Sequence, residues 1–322
     1  MKSPRRFWPV NREFPTVSVV IAARPGQAKI QALAATRALD YPVDRIEILV
    51  ARGTQPSAQR NAAIRQARGD LIYFLDDDSM PGSGNLTHGT TEFEATSVKM
   101  LGGPNLCPPQ APALEQIFAT VLSCWLAFGP SRARYSRVGQ MRDSSEKELI
   151  LCNLLARREV LLELGGFDES LYPNEENALM DRIQSRGGRL LYSPDFYVYR
   201  RPRPTFKAFC RMLMTYGRGR AEQFRRHPTL GSVLNFAPPL FCVFLVALPW
   251  LGMLGKVIIG TYLGAVLLQM LAILPVVGLV KGAAVIPMII LTHILYGVGF
   301  WRGLFTRFER RNGGGPIVIE RV

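Results

Sequence analysis

The sequence predicts an α/β domain with a doubly wound sheet, followed by helices that cross a membrane. Strand-like apolar runs alternate with helical patterns from residue 16 to residue 75, at the spacing of βαβ units. Three carboxylates, Asp76-Asp77-Asp78, end the third of these runs, and open α/β sheets bind ligands at such strand ends. Residues 233–305 are almost uncharged, which predicts membrane helices. The predicted parts are a basic arm (1–15), the α/β domain (16–205), an amphipathic linker (206–232), the apolar region (233–305) and a basic tail (306–322).

The charge of the chain favours contact with a membrane surface. Its 322 residues include 39 Lys and Arg and 25 Asp and Glu, so the net charge is +14. A basic domain beside apolar spans favours contact with anionic lipids. The sequence shows no zinc-finger, recognition-helix or aromatic-basic pattern that would favour nucleic-acid binding. Five cysteines without a CxxC pair argue against a disulfide framework. With no signal peptide visible, we expect a multi-pass protein of a bacterial-type inner membrane whose α/β domain is cytoplasmic.

The first elements of the α/β domain are read from their apolar patterns. The predicted strands are residues 16–23, 45–50 and 71–75, and the predicted helices are residues 27–39 and 59–67. Because parallel strands leave their following loops on one edge, Arg24, Arg52 and the acidic triplet should lie close together. Basic side chains that face carboxylates suit a nucleotide diphosphate with a bound metal.

The acidic triplet is the candidate metal site. Adjacent carboxylates repel one another unless a cation lies between them, and Mg²⁺ or Mn²⁺ prefers oxygen ligands shared with phosphates. A solvated acidic turn is the alternative. The position at a strand end, before Pro81-Gly82, favours the metal site.

The second half of the α/β domain contains a further pair of carboxylates. Residues 114–128 have an apolar helical pattern, which predicts core or membrane-apposed packing, with an acceptor-lipid groove as the alternative. Residues 152–158 return to a strand pattern. Glu175 and Glu176 follow Asn174 at a predicted helix start, where the helix dipole stabilises carboxylates.

Four motifs occur in order along this domain. They are the strand at residues 17–21, Arg60-Asn61, Arg68-Gly69-Asp70 leading into the acidic triplet, and Gly165-Gly166-Phe167-Asp168-Glu169. Together they resemble an inverting family 2 glycosyltransferase of the GT-A fold, the Rossmann-like fold of nucleotide-diphospho-sugar transferases, over about residues 16–225. The resemblance implies that Asp76 and Asp78 bind Mg²⁺ or Mn²⁺. It also implies a nucleotide-sugar donor, with candidate contacts from Asp76, Asp77, Arg24, Arg52 and Arg60.

Two departures from that family affect the expected site. The second strand of the family usually ends in an Asp that helps to read the nucleotide base, but Ala51-Arg52-Gly53 stands here. The catalytic general base of the family is an Asp in a Glu-Asp pair after the Gly-Phe-Asp-Glu motif, and the matching pair here is Glu175-Glu176. We therefore expect Glu176 to deprotonate the acceptor hydroxyl, with Glu175 as second candidate. Acidic capping of the helix is the alternative.

Residues 206–224 predict an amphipathic helix. Its Tyr216-Gly217-Arg218-Gly219-Arg220 resembles the corresponding part of succinoglycan-type, membrane-associated members of the family. Two roles compete: the helix contacts anionic headgroups, or Arg218 and Arg220 reach the site and balance the leaving diphosphate.

Three apolar segments follow, at residues 233–254, 257–280 and 282–300. About 20 residues are needed to span the hydrocarbon core of a bilayer. Arginines before the first segment and after the third both favour the cytoplasmic side, yet three full spans would separate them. One segment is therefore a candidate re-entrant or interfacial helix.

The expected function is metal-dependent, inverting transfer of a sugar from a nucleotide-sugar to a lipid-linked or polyprenyl acceptor, in cell-envelope or exopolysaccharide synthesis. A polyprenyl-phosphate sugar synthase is the nearer alternative. A catalytically inactive membrane scaffold of a glycan assembly complex is the more distant one. The missing base-reading Asp motivates the scaffold, and the intact acidic triplet argues against it.

Overall fold

The strands form one eight-stranded and one three-stranded sheet. The computed structural model describes residues 14–94, 97–171, 174–226, 228, 230–306 and 315–322, so most of the predicted basic arm and part of the basic tail lie outside the described residues. In chain order the strands are β1 (Val17–Ala23), β2 (Ile46–Arg52), β3 (Leu71–Asp76), β4 (Met80–Pro81), β5 (Val98–Gly102), β6 (Asn105–Leu106), β7 (Arg142–Asp143), β8 (Asn153–Arg157), β9 (Arg189–Tyr192), β10 (Val198–Tyr199) and β11 (Val318–Arg321).

The large sheet has the order β11-β2-β1-β3-β8-β5-β9-β7. β1 pairs in parallel with both β2 and β3, as the sequence predicts. β8 pairs antiparallel with β3 and with β5, so the sheet is mixed rather than purely doubly wound. The expectation of a doubly wound sheet was therefore incomplete, because strand direction depends on long-range pairing that an apolar run does not encode.

Some helices cover the two faces of the large sheet, and others form the linker and the apolar region. The helices are α1 (Gln31–Arg37), α2 (Pro56–Gln66), α3 (Asn85–Thr91), α4 (Ala113–Ser123), α5 (Trp125–Phe128), α6 (Arg158–Glu163), α7 (Glu175–Ser185), α8 (Phe206–Arg226), α9 (Ala237–Ala247), α10 (Gly252–Val277) and α11 (Leu279–Phe305). One apolar core lies between the sheet and α1 and α3, and a second lies between the sheet and α2, α6 and α7. The central strands are buried on both faces, which explains their continuous apolar sequence.

A third core joins the α/β domain to the apolar region. Phe118 of α4 and Phe209 of α8 stack with ring centroids 4.2 Å apart, and side chains of α10 and α11 pack around them. α11 lies along α8 so closely that a Cβ at Gly217 would come within 2.0 Å of the Tyr296 carbonyl oxygen. Near the end of α11, Arg225 of α8 donates to the Gly303 carbonyl at 3.1 Å. The apolar region is therefore packed onto the α/β domain.

Among the described residues, three segments are long and apolar enough to cross a membrane. They are Val233–Trp250, Gly252–Val277 and Leu279–Phe305, and the bent pair α4 and Trp125–Arg134 meets the same test jointly at an angle of 66°. The predicted apolar segments are confirmed, but their ends shift. The break between the second and third apolar segments falls at Gly278, whose φ is +76°, instead of near Lys281 as the sequence predicts.

The end of the chain closes one edge of the large sheet. β11 pairs antiparallel with β2, so that Val318 lies opposite Arg52. This strand lies within the predicted basic tail, where the sequence analysis assigned no strand. Its pairing satisfies backbone groups that an edge strand would otherwise expose.

Candidate active site

The carboxyl ends of β1, β2 and β3 meet at one edge of the sheet. Ala22 lies opposite Ala51 on one side and opposite Asp76 on the other. The loops that follow these strands therefore lie side by side, as the sequence predicts. Arg24, Gly53 and Asp77 all line the same cavity at this edge.

The acidic triplet is held by two arginines and one amide. Arg60 Nη2 lies 2.9 Å from Asp76 Oδ1, and Arg200 Nη1 lies 3.1 Å from Asp76 Oδ2. Arg200 Nε also lies 2.5 Å from Asp78 Oδ1. Gln27 Nε2 donates to Asp77 Oδ2 at 2.5 Å. Burial raises the pKa of Asp76, but Arg200 and Arg60 outweigh it and hold that pKa below its ordinary value.

Arg60 and Asn61 connect the acidic triplet to the later motif. Arg60 Nη1 lies 3.3 Å from Glu175 Oε1, so one guanidinium joins Asp76 to the start of α7. Asn61 donates to the Phe167 carbonyl and to Glu169 Oε1, each at 2.9 Å. Motifs that are far apart in sequence therefore form one hydrogen-bonded unit.

The two candidate base residues have different environments. α7 begins at Glu175, after Asn174, whose φ of 90° is unusual for a residue other than glycine. Glu175 is buried against Arg60, and burial, followed by the charge of Glu176, raises its pKa above the ordinary value. Glu176 is half-buried and lines the cavity in the same turn. Its position suits contact with a bound substrate better than that of Glu175.

The cavity is continuous from the sheet edge into the apolar helices. Its volume is about 1310 Å³. At one end it is lined by polar groups of the strand loops, including Arg24, Thr54 and Asp76. At the other end it is lined by Phe241 of α9 and His293 of α11. His293 bonds to the Tyr262 hydroxyl at 2.8 Å and to the Leu126 carbonyl at 2.9 Å, which agrees with a packing role.

The predicted arginines separate into two groups. Arg24, Arg60 and Arg220 line the cavity, whereas Arg52 and Arg218 do not. Arg52 Nε lies 2.6 Å from Glu320 Oε1 of β11, and its Nη1 donates to the Gln27 carbonyl at 2.9 Å. Arg52 therefore braces the loop after β1 from outside.

Arg218 extends along its own helix. Its Nε lies 3.5 Å from Glu222 Oε1, one turn further along α8. Arg220 faces the cavity instead, because residues two apart on a helix point in different directions.

Three arginines that line the cavity, Arg134, Arg200 and Arg203, were not among the predicted site residues. Arg200 bridges Asp76 and Asp78, and Arg134 lines the cavity and donates to Asn177 Oδ1 at 2.6 Å. Burial, and then the charge of Arg220, lowers the pKa of Arg134, while Glu176 opposes that shift. The available signals were Arg200 directly after a strand-like run and the arginine-rich stretch 132–142, and neither pattern is specific.

The residues that could hold a divalent metal are Asp76 and Asp78. Both carboxylates contact the Arg200 guanidinium, so the two side chains already share one cationic group of this chain. Within the described part of the chain, no group of three or more Asp, Glu, His or Cys side chains could hold a metal. The pair thus fits a metal whose remaining ligands come from a substrate diphosphate.

Comparison with known proteins supplies the context for this site. The family model described as "Glycosyltransferase like family 2" matches residues 9–214. The succinoglycan biosynthesis protein ExoA of Rhizobium meliloti is 28% identical over 196 residues, which are 58% of this chain and 55% of that protein. Glycosyltransferase AglE of Haloferax volcanii is 26% identical over 184 residues, 56% of this chain and 55% of that protein. The chain thus spans about half the length of the curated relatives it matches.

A solved structure shares the fold. The mannosyltransferase PcManGT from Pyrobaculum calidifontis, in complex with GDP-Man and Mn²⁺, aligns with a TM-score of 0.52 and 17% identity. The alignment covers 94% of this chain and 91% of that chain. Together with the family match, this likeness confirms the expected GT-A-like fold.

Proposed function

Since this chain belongs to glycosyltransferase family 2, we propose that it transfers a sugar, with inversion, from a nucleotide-sugar to a lipid-borne acceptor at a membrane. The observation that carries this proposal is the continuous cavity of about 1310 Å³. Its polar end suits a sugar nucleotide, and its apolar end suits the lipid part of an acceptor. Glu176 lies on the wall of the same cavity.

The donor occupies the sheet edge in this proposal. Asp76 and Asp78 would hold Mg²⁺ or Mn²⁺, and that ion would supply positive charge beside the leaving diphosphate. Arg24 and Arg60 add positive charge at the same edge. The GDP-Man and Mn²⁺ named for PcManGT support a nucleotide-sugar and a divalent metal, although the resemblance to that enzyme is one of fold.

Glu176 is the proposed general base. An inverting transfer needs one base that accepts the proton of the acceptor hydroxyl during attack on the anomeric carbon. Both glutamates line the cavity, but Glu176 is half-buried, whereas Glu175 is buried and paired with Arg60. Glu175 then acts as a positioning residue that fixes the first turn of α7.

The apolar region is the proposed membrane anchor. In the 18-residue apolar windows of Val233–Trp250 and Gly252–Val277 only 6% of the window is buried within the protein, whereas 33% of the window in Leu279–Phe305 is buried. Near the start of α11, Lys281 donates a hydrogen bond to Gln116 of α4. Near the end of α11, the Gly303 carbonyl accepts a hydrogen bond from Arg225 of α8. One end of α11 thus touches α4 of the α/β domain and the other touches α8 of the linker, which favours α11 as the segment that does not cross the bilayer. This assignment leaves both ends of the apolar region on the proposed cytoplasmic side, as the positive-inside rule requires.

A phosphate acceptor, as in a polyprenyl-phosphate sugar synthase, is the second candidate. Arg220 lies close enough to Arg134 to help lower the pKa of Arg134, and Glu176 lies close enough to oppose that shift. Two cations beside the proposed base suit a phosphate acceptor as well as a lipid diphosphate. Such an acceptor is already ionised and would need little help from Glu176.

The proposed function is tested by donor binding to the full-length protein in detergent. UDP-, GDP-, dTDP- and CMP-sugars are titrated with Mn²⁺ and, separately, with chelator. We expect one donor class to bind with Mn²⁺, and Asp78→Asn to lose that binding. Asp44→Asn is the matched control, because Asp44 is exposed and pairs only with neighbouring Arg45. If no donor binds to the folded protein, the inactive scaffold becomes the better interpretation.

A further inference from the structure

One guanidinium contacts both of the proposed metal ligands. Arg200 contacts Asp76 Oδ2 through Nη1 at 3.1 Å and Asp78 Oδ1 through Nε at 2.5 Å. The carboxylates that would share a divalent metal therefore share a side-chain cation of this chain. A charge-assisted bridge of this kind is among the stronger hydrogen-bonded contacts in proteins.

The backbone holds Arg200 at this place. Arg200 directly follows β10, and β10 pairs antiparallel with β4, which begins two residues after Asp78. Tyr199 lies opposite Met80 in that pairing, and the Arg200 amide donates to the Leu106 carbonyl at 2.9 Å. On the other side, the Ser79 amide donates to the Asp76 carbonyl at 3.0 Å and closes the turn of the triplet. Both partners of the bridge are thus fixed by regular structure.

We propose that Arg200 is a resident cation, which occupies the metal position in the donor-free protein and yields it when metal and donor diphosphate arrive together. This inference rests on the proposed function, because it assumes a nucleotide-sugar at the same edge. A divalent ion and a guanidinium cannot both lie between the same two carboxylate oxygens without strong repulsion. The donor diphosphate offers Arg200 a new anionic partner, so that displacement leaves no buried charge unpaired.

Two consequences follow for binding. The donor-free protein binds divalent metal weakly, since metal must displace a bidentate internal partner. Metal and nucleoside diphosphate then bind cooperatively, and by linkage each raises the affinity of the other by the same factor. Arg200 also keeps the mutually repelling aspartates together between catalytic cycles.

The test is a titration of Mn²⁺ into full-length protein in detergent without nucleotide, in which electron paramagnetic resonance measures unbound Mn²⁺. We expect Arg200→Gln to bind Mn²⁺ at least about tenfold more tightly than wild type, equivalent to about 1.4 kcal/mol. Arg203→Gln is the matched control. Arg203 also lines the cavity and acts on Asp76 only through its charge, so its loss should change Mn²⁺ affinity less than about threefold.

A second variant guards against misfolding of Arg200→Gln. Arg200→Ala leaves a space that guanidinium ions in solution can occupy, so millimolar guanidinium should weaken Mn²⁺ binding by this variant but not by wild type. The inference is wrong if Arg200→Gln and Arg200→Ala bind Mn²⁺ no more tightly than wild type. It is also wrong if Arg203→Gln tightens binding equally, because the effect is then general electrostatics.

Failure of the proposed function gives a different result. The Mn²⁺ titration contains no nucleotide, so it reports on the resident cation alone. Adding UDP or GDP then measures the coupling, which should be larger in wild type than in Arg200→Gln. If no nucleotide-sugar binds to any of these proteins, the proposed function fails, whatever the nucleotide-free titration shows.

Discussion

Replacement of Arg60 by Gln tests the buried charge network that joins the two halves of the site. The Arg60 side chain is 7% exposed and contacts Asp76 at 2.9 Å and Glu175 at 3.3 Å. At these distances each attraction is about 5 kcal/mol with an effective dielectric constant of about 20, and the loss of arginine desolvation recovers part of it. Removing one partner of a buried pair typically costs about 3–5 kcal/mol. We therefore expect Arg60→Gln to lower the apparent thermal midpoint by roughly 10 °C.

The loss of stability should depend on pH. Burial already raises the folded-state pKa of Glu175, and removal of Arg60 raises it further. A carboxyl whose folded pKa exceeds its unfolded value favours folding below the unfolded pKa, and this contribution is lost as pH rises through the folded pKa. Glu175 stays protonated in the folded wild-type protein up to about pH 8, so the part of the Arg60→Gln deficit that Glu175 contributes should grow as pH rises above about 8.

Thermal unfolding of the full-length protein in detergent, at one scan rate and at several pH values, measures this effect. Arg65→Gln is the matched control, because Arg65 lies on the same helix and is exposed. The double variant Arg60→Gln/Glu175→Gln should recover part of the loss, since it removes one carboxylate left unpaired. A deficit that is the same at all pH values, or a midpoint within about 1 °C of wild type, would refute the reasoning.

Three further predictions concern the proposed general base Glu176, the carboxyl of Asp181 on the same helix, and the contact between α8 and α11. Glu176→Gln should lower the transfer rate to a hydroxyl acceptor by about 10²–10⁴-fold while donor affinity measured by calorimetry stays unchanged, and an undiminished rate would favour a phosphate acceptor. Burial raises the pKa of Asp181 to about 6. Asp181→Asn should therefore stabilise the folded protein by about 1 kcal/mol after allowance for partial exposure. The gain in thermal midpoint should grow from about pH 4 to pH 6. A gain that shrinks as pH rises would contradict this sign. Gly217→Ala should lower the thermal midpoint because its Cβ would meet the Tyr296 carbonyl at 2.0 Å, whereas Gly260→Ala, with nothing within 4 Å, should not.

The parallel centre of the sheet could be predicted because its burial is visible in sequence. β1, β2 and β3 are largely buried on both faces, so each is a mostly apolar run that is followed by polar residues. The antiparallel insertion of β8 and the edge pairing of β11 could not be predicted in the same way. Both depend on which distant strand offers a partner, and short strands carry little information about that choice.

The candidate site shows the same division between local and long-range information. Asp76, Asp78 and the Glu175-Glu176 pair were predicted, because carboxylates at a strand end and at a helix start are unusual enough to be noticed. Arg200 and Arg134 were missed, because arginine is frequent in this basic chain and its role depends on the group that it reaches. Arg52 was predicted to contact the donor, yet in the structure it pairs with Glu320.

By itself, the sequence determined the α/β class, the position of the acidic triplet, the two candidate general-base residues and the apolar segments. Each of these is a local pattern of burial or charge within a few residues. Only the tertiary structure decided that Arg60 joins the triplet to Glu175, that Arg200 lies between Asp76 and Asp78, and that the cavity continues into the apolar helices. These contacts join residues far apart in the chain, and the free energy of a charge pair depends on distance and burial, which only the folded chain defines.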